Sequence, residues 1–216
     1  LSEDVGTGDV TTLNAVPANV GARAAIVAKS PGVISGLDIA AMTFREIDAK
    51  LKFKSVVKDG MEVPAGAALA TVSGSAASIM IAERTALNFL MRLSGVATIT
   101  RRYVNAIAGT GAVILDTRKT TPGLRILEKY AVLCGGGQNH RLALWDMYLV
   151  KDNHIRAARG LTNAIDSIQR TRRELLLEVE VESMDQLREA LRPEVDRILV
   201  DNQPPEVVRR CVEEVD

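Results

Sequence analysis

The residue types best suited to chemistry sit where apolar runs end in charge. Val113-Ile114-Leu115 leads into Asp116-Thr117-Arg118-Lys119, and Met147-Tyr148-Leu149-Val150 leads into Lys151-Asp152-Asn153-His154. Leu175-Leu176-Leu177 runs into Glu178, Glu180 and Glu182, and Ile198-Leu199-Val200 into Asp201-Asn202. These groups divide by sign. Arg118, Lys119 and Lys151 are cationic, His140 and Arg141 lie between them in the chain, and Glu180 and Asp201 are acidic. Two unit charges about 4 Å apart interact by roughly 4 kcal/mol at an effective dielectric near 20, so cations converging on one pocket are costly unless an anion occupies it. The acids on later strands balance part of that charge, and they can also hold a divalent cation through oxygen ligands, as magnesium sites on phosphate substrates do. Phosphate together with Mg2+ is the simplest joint reading.

Each position also has a plainer account. Standing alone in a polar loop, Arg118-Lys119 or Lys151 would be solvated charge, and it is their place at strand ends that favours function. Glu178, Glu180 and Glu182 share one face, because side chains in a strand repeat every two residues. Three acids facing water are ordinary on a two-layer sheet, whereas a parallel strand covered on both sides should be apolar there; Glu180, the middle position, is the favoured functional group. His140 and His154 are the only histidines and both fall beside strand-end cations, although lone histidines more often serve structure. Gly135-Gly136-Gly137 reads as a flexible loop; it follows no apolar strand, which argues against a dinucleotide-binding fingerprint. No GxxxxGK[ST], HExxH or GxSxG motif is present. Cys134 falls at the end of a predicted helix, where the dipole raises thiol pKa, so packing suits it better than nucleophilic attack.

The elements that must position these residues follow two rhythms. Up to about residue 95 the pattern is short strands around helices. Strand character covers 22–29, 51–57 and 67–73, with Leu37, Ala40, Ala41, Phe44 and Ile47 forming a helical stripe between the first two. From Ser75 the period changes, and Ile79, Ala82, Ala86, Phe89, Leu90 and Leu93 predict a long helix that stops near Gly95, followed by a second over 97–108. Beyond Gly109, strand, polar loop and amphipathic helix recur, with helices expected over 124–133, 157–172, 184–191 and 205–215. This is the βα alternation of parallel strands with right-handed crossovers. A βα barrel and an open doubly wound sheet both place ligands at the C-terminal ends of their strands. Four such units are visible where a barrel closes with about eight, so the sequence is expected to be unfinished at its C-terminus.

Composition excludes several classes. The 216 residues are 47% apolar and 25% charged, as in ordinary globular proteins. Lys and Arg total 27 against 27 Asp and Glu, so net charge gives no reason to expect nucleic acid or an anionic membrane as partner. No run approaches the roughly 20 apolar residues of a membrane span, and Leu1-Ser2-Glu3-Asp4 carries acids where an export signal carries cations. The two cysteines, Cys134 and Cys211, form no CxxC pair, which excludes a disulfide framework or zinc cluster and makes a reducing cytoplasm the expected location.

Several ordered motifs together resemble the quinolinate phosphoribosyltransferases. They are Glu83-Arg84-Thr85-Ala86-Leu87-Asn88 with Leu93-Ser94-Gly95-Val96-Ala97-Thr98, then Asp116-Thr117-Arg118-Lys119-Thr120-Thr121-Pro122-Gly123, Asn139-His140-Arg141 and Lys151-Asp152-Asn153-His154-Ile155. The early Glu3-Asp4-Val5-Gly6-Thr7-Gly8-Asp9-Val10-Thr11-Thr12 and the late Glu178-Val179-Glu180-Val181-Glu182 match as well, so the resemblance spans almost the whole chain. It implies an α/β fold in two domains: an N-terminal α/β sandwich over 1–95, including the long linking helix, and part of an incomplete TIM-like (β/α) barrel over 96–216, truncated at the C-terminus. It also implies a homodimer or higher even oligomer with shared active sites. Arg118, His140 and Arg141 would grip the two carboxylates of quinolinate, with Arg84 reaching in from the partner subunit. Lys119 and Lys151 would hold phosphoribosyl pyrophosphate or a substrate carboxylate, and Glu180 and Asp201 would bind the ribose hydroxyls and Mg2+.

The implied activity is phosphoribosyl transfer to quinolinate with decarboxylation, giving nicotinate mononucleotide, pyrophosphate and CO2 for NAD biosynthesis. On the same resemblance Lys119, Lys151, Glu180 and Asp201 carry the catalytic roles. The family continues beyond the position of Asp216 with a Ser-Gly-Gly loop and a glycine-containing phosphate loop, and it begins with a helix before Leu1. The sequence is therefore expected to be an incomplete version of the enzyme, and a protein ending at Asp216 is expected not to turn over. Two alternatives stand beside this reading: a paralogous phosphoribosyltransferase for another acid, such as nicotinate or the substrate of the molybdenum-transport homologue, and a non-catalytic anion-binding module.

Overall fold

The structure, a computed structural model, describes residues 1–171 and 174–215. The chain is an α/β protein that divides into two compact units, Leu1–His140 and Arg141–Asp216, each with its own apolar core.

The first unit opens with α1 (Ser2–Val5) and α2 (Val10–Ala15). Asp9 starts α2 by accepting the backbone N–H groups of Thr11 and Thr12, both at 3.0 Å, which supplies acceptors that a first helical turn lacks. Then follow β1 (Gly21–Val27), β2 (Gly32–Val33), α3 (Leu37–Ile47), β3 (Lys52–Ser55), β4 (Glu62–Val63) and β5 (Ala68–Ser75). β1, β5 and β3 form an antiparallel sheet in that order, and β2 pairs with β4. One face of the sheet carries Ile26, Ala70 and Val72 onto Leu37, Ala40 and Phe44 of α3 and Ile79, Ala82 and Leu90 of the helix that follows. Glycine is required at position 36, which begins α3 with a φ of +102°.

That following helix, α4 (Ala76–Ala106), is a single element of 31 residues. The expected stop near Gly95 and the separate helix over 97–108 do not occur. One glycine costs a helix only about 1 kcal/mol, and the buried stripe Leu90, Leu93, Ala97 and Thr100 continues across it. The hydroxyls of Ser94 and Thr98 also accept the backbone N–H groups of Ser35 at 3.0 Å and Val33 at 2.9 Å, tying both sides of Gly95 to the same loop.

Beyond α4 the unit holds α5 (Arg125–Cys134) and one parallel bridge, Leu115 with Gln138. The strand expected over 113–115 is thus reduced to a single paired residue. Its partner follows the glycine run, a segment with no apolar pattern to announce it. The glycines are not a flexible loop. A Cβ at Gly135 would lie 2.5 Å from Thr100 Cβ and 2.6 Å from the Ala97 oxygen, one at Gly137 would lie 2.8 Å from Val132 Cγ1, and Gly136 has a φ of +90°. Close approach to α4 demands the outer two, and a left-handed turn demands the middle one.

In the second unit β6 (Tyr148–Val150) leads through α6 (Asp152–Ala157) and α7 (Leu161–Thr171) to β7 (Leu177–Val181). α8 (Met184–Ala190), β8 (Arg197–Val200) and α9 (Pro205–Val215) complete it. The strands form a parallel sheet in the order β6-β7-β8, as the βα alternation requires. Leu177, Val179 and Val181 pack with Leu161, Ile165, Leu187 and Cys211. The helix expected over 157–172 starts later, as α7 at Leu161, and the polar loop expected from Asp152 is instead the short helix α6; the expected end at Arg172 lies outside the described residues. Arg159 takes a φ of +59°, and the N–H groups of Arg159 and Gly160 donate back to the Arg156 and Ile155 carbonyls at 3.2 and 2.9 Å, which closes α6 before α7 begins. Among the described residues no helix is long and apolar enough to cross a membrane, and Cys134 and Cys211 are free thiols.

Candidate active site

In the first unit the Leu115–Gln138 bridge sets the segment from Asp116 beside the segment from Asn139. Two backbone bonds hold it, Gln138 N–H to the Ile114 oxygen at 2.8 Å and Asp116 N–H to the Gln138 oxygen at 3.1 Å. The expected site residues Arg118, Lys119 and His140 all lie on these two segments. Arg118 is half-buried and Lys119 exposed, while a turn between them and Thr120 is closed by Thr120 N–H donating to the Arg118 oxygen at 2.9 Å. Lys119 N–H donates to Thr117 Oγ1 at 3.0 Å. The Arg118 Nε is buried and has no hydrogen-bond partner among the described residues. A buried donor left unpaired costs about 1–3 kcal/mol, so this guanidinium is built to receive an acceptor.

Asp116 stands at the centre of the unit's polar interior, a role the sequence reading did not give it. Its Oδ1 accepts the His140 N–H at 2.8 Å and the Lys129 ammonium at 2.5 Å. Both side chains of the ion pair are nearly sealed, at 3% exposure for Lys129 and 7% for Asp116. Lys129 Nζ donates in addition to the His140 oxygen at 3.2 Å. With the Asn139 amide turned so that its nitrogen donates, Asp116 Oδ2 gains a further bond at 2.7 Å.

Glu128, the neighbour of Lys129 on α5, serves the other end of the same loop. Its Oε2 accepts the Thr121 N–H at 3.0 Å, and its Oε1 accepts Arg92 Nε from α4 at 2.8 Å. Burial pushes the Glu128 carboxyl up, but the Arg92 guanidinium and the Thr121 N–H outweigh it, so its pKa lies below the ordinary glutamate value. Glu128 and Lys129 had no role in the sequence reading; their only signal is two adjacent charges on an otherwise amphipathic helix.

In the second unit Lys151, Glu180 and Asp201 gather at the C-terminal ends of the parallel strands. Lys151 directly follows β6, Glu180 is the penultimate residue of β7, and Asp201 directly follows β8. The sheet register pairs Val150 with Val179 and Val181 with Val200, which aligns the three strand ends, and Asp201 N–H donates to the Val181 oxygen at 3.1 Å. Lys151 Nζ meets Glu180 Oε2 at 2.5 Å, with the lysine 41% and the glutamate 10% exposed. The expected shared face of Glu178, Glu180 and Glu182 resolves by depth: the first two are buried in β7, and Glu182 lies exposed beyond it. His154 has a structural task, since its Nδ1 accepts the Lys151 N–H at 3.0 Å and turns the chain into α6. Arg141 donates through Nη1 to the Met147 oxygen at 3.2 Å. The intervening turn is held by Asp146, which accepts Leu142 N–H at 2.6 Å and Ala143 N–H at 3.0 Å. Burial raises the Asp146 pKa, but these N–H groups and the Arg141 charge outweigh it, so the pKa lies below the ordinary aspartate value.

Arg84 lies exposed on α4, away from the stripe of Ala82 and Ala86. As to metal, no group of three or more His, Cys, Asp or Glu side chains is arranged to hold an ion among the described residues. Magnesium bound with a diphosphate substrate needs only one or two carboxylates, the remaining ligands being phosphate oxygens and water. Glu180 and the exposed Asp201 fit that donor set.

Comparison with known proteins identifies the family. The N-terminal domain model of quinolinate phosphoribosyl transferase matches residues 9–94, and the C-terminal domain model matches residues 96–216. A probable carboxylating nicotinate-nucleotide pyrophosphorylase of Synechocystis is 43% identical over 213 residues, covering 98% of this chain and 72% of its own length. The carboxylating nicotinate-nucleotide pyrophosphorylase of Mycobacterium leprae is 44% identical over 207 residues, 94% of this chain and 73% of the relative. The chloroplastic enzyme of that name from Arabidopsis thaliana is 42% identical over 213 residues, and this chain spans 61% of it. The crystal structure of NadC from Streptococcus pyogenes superposes with a TM-score of 0.94 at 38% identity, covering 99% of this chain and 76% of that one. With both domain models matched and relatives above 40% identity along nearly its whole length, the chain belongs to the quinolinate phosphoribosyltransferase family.

Proposed function

We propose that the protein transfers the phosphoribosyl group of phosphoribosyl pyrophosphate to quinolinate and decarboxylates the product, giving nicotinate mononucleotide, pyrophosphate and CO2. The observation that carries this reading is the buried, unpartnered Nε of Arg118. It marks the guanidinium as a fork waiting for a planar oxyanion, and a carboxylate of quinolinate satisfies two of its donors at once. His140 and Arg141 take the second carboxylate. Lys119, exposed beside Arg118, and Lys151 meet the phosphates of the donor or a substrate carboxylate.

No enzyme nucleophile is needed. The pyridine nitrogen attacks the anomeric carbon of the ribose, the bond to the pyrophosphate oxygen breaks, and pyrophosphate departs with the electron pair. When the adjacent carboxylate leaves as CO2 the bonding pair stays on its ring carbon, stabilised by the neighbouring positive nitrogen, and a proton then takes up that pair. The contribution of the side chains is placement and fixed charge. Glu180 bears on the ribose hydroxyls, and its carboxylate faces the positive charge that builds on the sugar as pyrophosphate leaves. Lys151, held against Glu180 at 2.5 Å, keeps that carboxylate in one position and stands ready for the phosphates. Bound Mg2+, with Glu180 and Asp201 as its protein ligands, would neutralise charge on the leaving pyrophosphate.

Two further features belong to the proposal. The exposed position of Arg84 supports a homodimer in which that residue enters the partner's site; mixing Arg84→Ala with Lys151→Ala subunits should then restore activity that neither parent has. Free thiols at Cys134 and Cys211 support a cytoplasmic location, which cell fractionation checks against import into an organelle. The decisive experiment incubates the protein with quinolinate, phosphoribosyl pyrophosphate and Mg2+ and detects nicotinate mononucleotide by mass spectrometry. Calorimetry runs in parallel: binding of both substrates without product supports the anion-binding module instead, and product from nicotinate but not quinolinate supports the paralogue.

A further inference from the structure

We propose that Glu128 and Lys129, adjacent on α5, are positioning residues that clamp the two ends of the loop carrying Arg118 and Lys119 and thereby set the affinity for quinolinate. The inference rests on the assignment of Arg118 and His140 to quinolinate. The loop runs from Asp116 to Thr121. At its first end Lys129 Nζ holds Asp116 Oδ1 at 2.5 Å, and at its last end Glu128 Oε2 holds the Thr121 N–H at 3.0 Å. Both clamping residues are buried, Lys129 at 2% exposure and Glu128 at 8%, although charged residues seldom face inward on a helix of this size.

The clamp reaches the other substrate-facing segment through the same atoms. Asp116 Oδ1 also takes the His140 N–H at 2.8 Å, and Lys129 also reaches the His140 oxygen at 3.2 Å. The backbone on both sides of His140 is therefore fixed to the residue that begins the Arg118 loop. Arg92 completes the arrangement from α4 by bonding both Glu128 and the Thr121 hydroxyl. A purely stabilising pair could sit anywhere in the core. These two side chains instead bond backbone or carboxylate groups at the borders of residues 117–120, and they leave the Arg118 Nε inside that span unpaired.

A bidentate contact requires the guanidinium to be held to a fraction of an ångström, so loosening either end should act on quinolinate before it acts on the diphosphate donor. The test measures dissociation constants for quinolinate and for phosphoribosyl pyrophosphate by calorimetry on the wild type, Glu128→Ala, Glu128→Gln, Lys129→Met and Lys129→Arg. Amide exchange read by mass spectrometry on peptides covering 117–123 and 138–141 accompanies it. Phe44→Leu, in the core of the antiparallel sheet, serves as a control matched for lost thermal stability. Glu128→Ala and Lys129→Met should weaken quinolinate at least tenfold and the donor less than threefold, with faster exchange in those peptides. Glu128→Gln still accepts the Thr121 N–H and should recover most of the affinity, and Phe44→Leu should leave it unchanged. If Lys129→Met does not fold, the neutral pair Asp116→Asn with Lys129→Met replaces it. Wild-type binding matched by Glu128→Ala and Lys129→Met overturns the positioning role alone, as does an equal loss in Phe44→Leu. Absence of quinolinate binding in the wild type overturns the functional assignment on which the role depends.

Discussion

Replacing Gly135 by alanine isolates the steric basis of the site from its charges. Gly135 has an ordinary right-handed backbone, with φ −72° and ψ −10°, so the new methyl group brings no conformational strain. Its cost is overlap: 2.5 Å to Thr100 Cβ and 2.6 Å to the Ala97 oxygen, where carbon contacts normally begin near 3.5 Å. Both atoms belong to the frame of α4, so the end of α5 must move out by about 1 Å. Overpacking of this kind costs about 1–3 kcal/mol, occasionally more, and the backbone oxygen places this case near 3. At about 2–4 °C per kcal/mol for a chain of this length, the melting temperature should fall by about 6–12 °C. Gly137→Ala is a matched contrast, because its nearest neighbours are the flexible ends Val132 Cγ1 at 2.8 Å and Thr100 Cγ2 at 2.9 Å. Thr100→Ser deletes that Cγ2 and keeps the hydroxyl that donates to the Val96 oxygen at 2.9 Å. Thr100 Cγ2 lies 2.9 Å from both new methyl positions. In a double-mutant cycle read by calorimetric melting, Thr100→Ser should therefore recover about 1 kcal/mol of the Gly137→Ala loss and a smaller share of the Gly135→Ala loss, where the contacts with Thr100 Cβ and the Ala97 oxygen remain. A Gly135→Ala protein that melts with the wild type would refute the close-approach account of this turn.

Other perturbations separate the charged groups. Arg118→Lys keeps the charge and loses the planar fork; its quinolinate dissociation constant should rise at least tenfold, and a change under twofold would count against bidentate recognition. The depressed Glu128 pKa makes a signed statement about acid stability. Its contribution is complete above the unfolded value near 4.5 and is lost as pH falls through the lower folded value. The melting gap between wild type and Glu128→Gln should then be widest at neutral pH and close towards pH 3; a gap that widens on acidification contradicts the assignment. Lys151→Met leaves Glu180 buried without its cation, but the lysine is 41% exposed and its pairing is screened. The expected stability loss is about 1–2 kcal/mol, reduced in the double variant with Glu180→Gln, and denaturant titration reads both.

What the sequence made legible followed from periodicity. The alternation of Lys52, Phe53 and Lys54, the stripe of α3 and the recurring apolar runs before Lys151, Glu180 and Asp201 each impose one geometry on the chain. Those strand ends indeed align in register, which is why candidate residues could be named at all. Punctuation was less readable. Gly95 looked like a helix end because local propensity knows nothing of the Val33 and Ser35 amides waiting for Thr98 and Ser94. The end of α6 was unreadable for the reverse reason: Arg159, a residue with no turn signature, takes the left-handed position before α7. Gln138 was invisible as a paired residue, since a single bridge carries no period.

The charged residues to which sequence reasoning gave no role share a physical character that gives them away in three dimensions. Asp116, Glu128 and Lys129 are charges turned inward, against the rule that such groups face water. Charge pairs that obey the rule are also present: Arg188 with Glu214 and Arg156 with Asp152 lie open to solvent. Inward charge is costly unless its partners are fully satisfied, and it is tolerated in real folds mainly where position matters more than stability. Asp116 meets that condition with bonds from Lys129 and the His140 N–H, and Glu128 with bonds from Arg92 and Thr121. Arg118 Nε, a few residues along the same loop, fails it. Among the described residues the polar groups on both borders of the loop are satisfied and one buried donor between them is open, and it is on this contrast that the proposed role of Arg118 rests, since the fork geometry of a guanidinium fits a carboxylate.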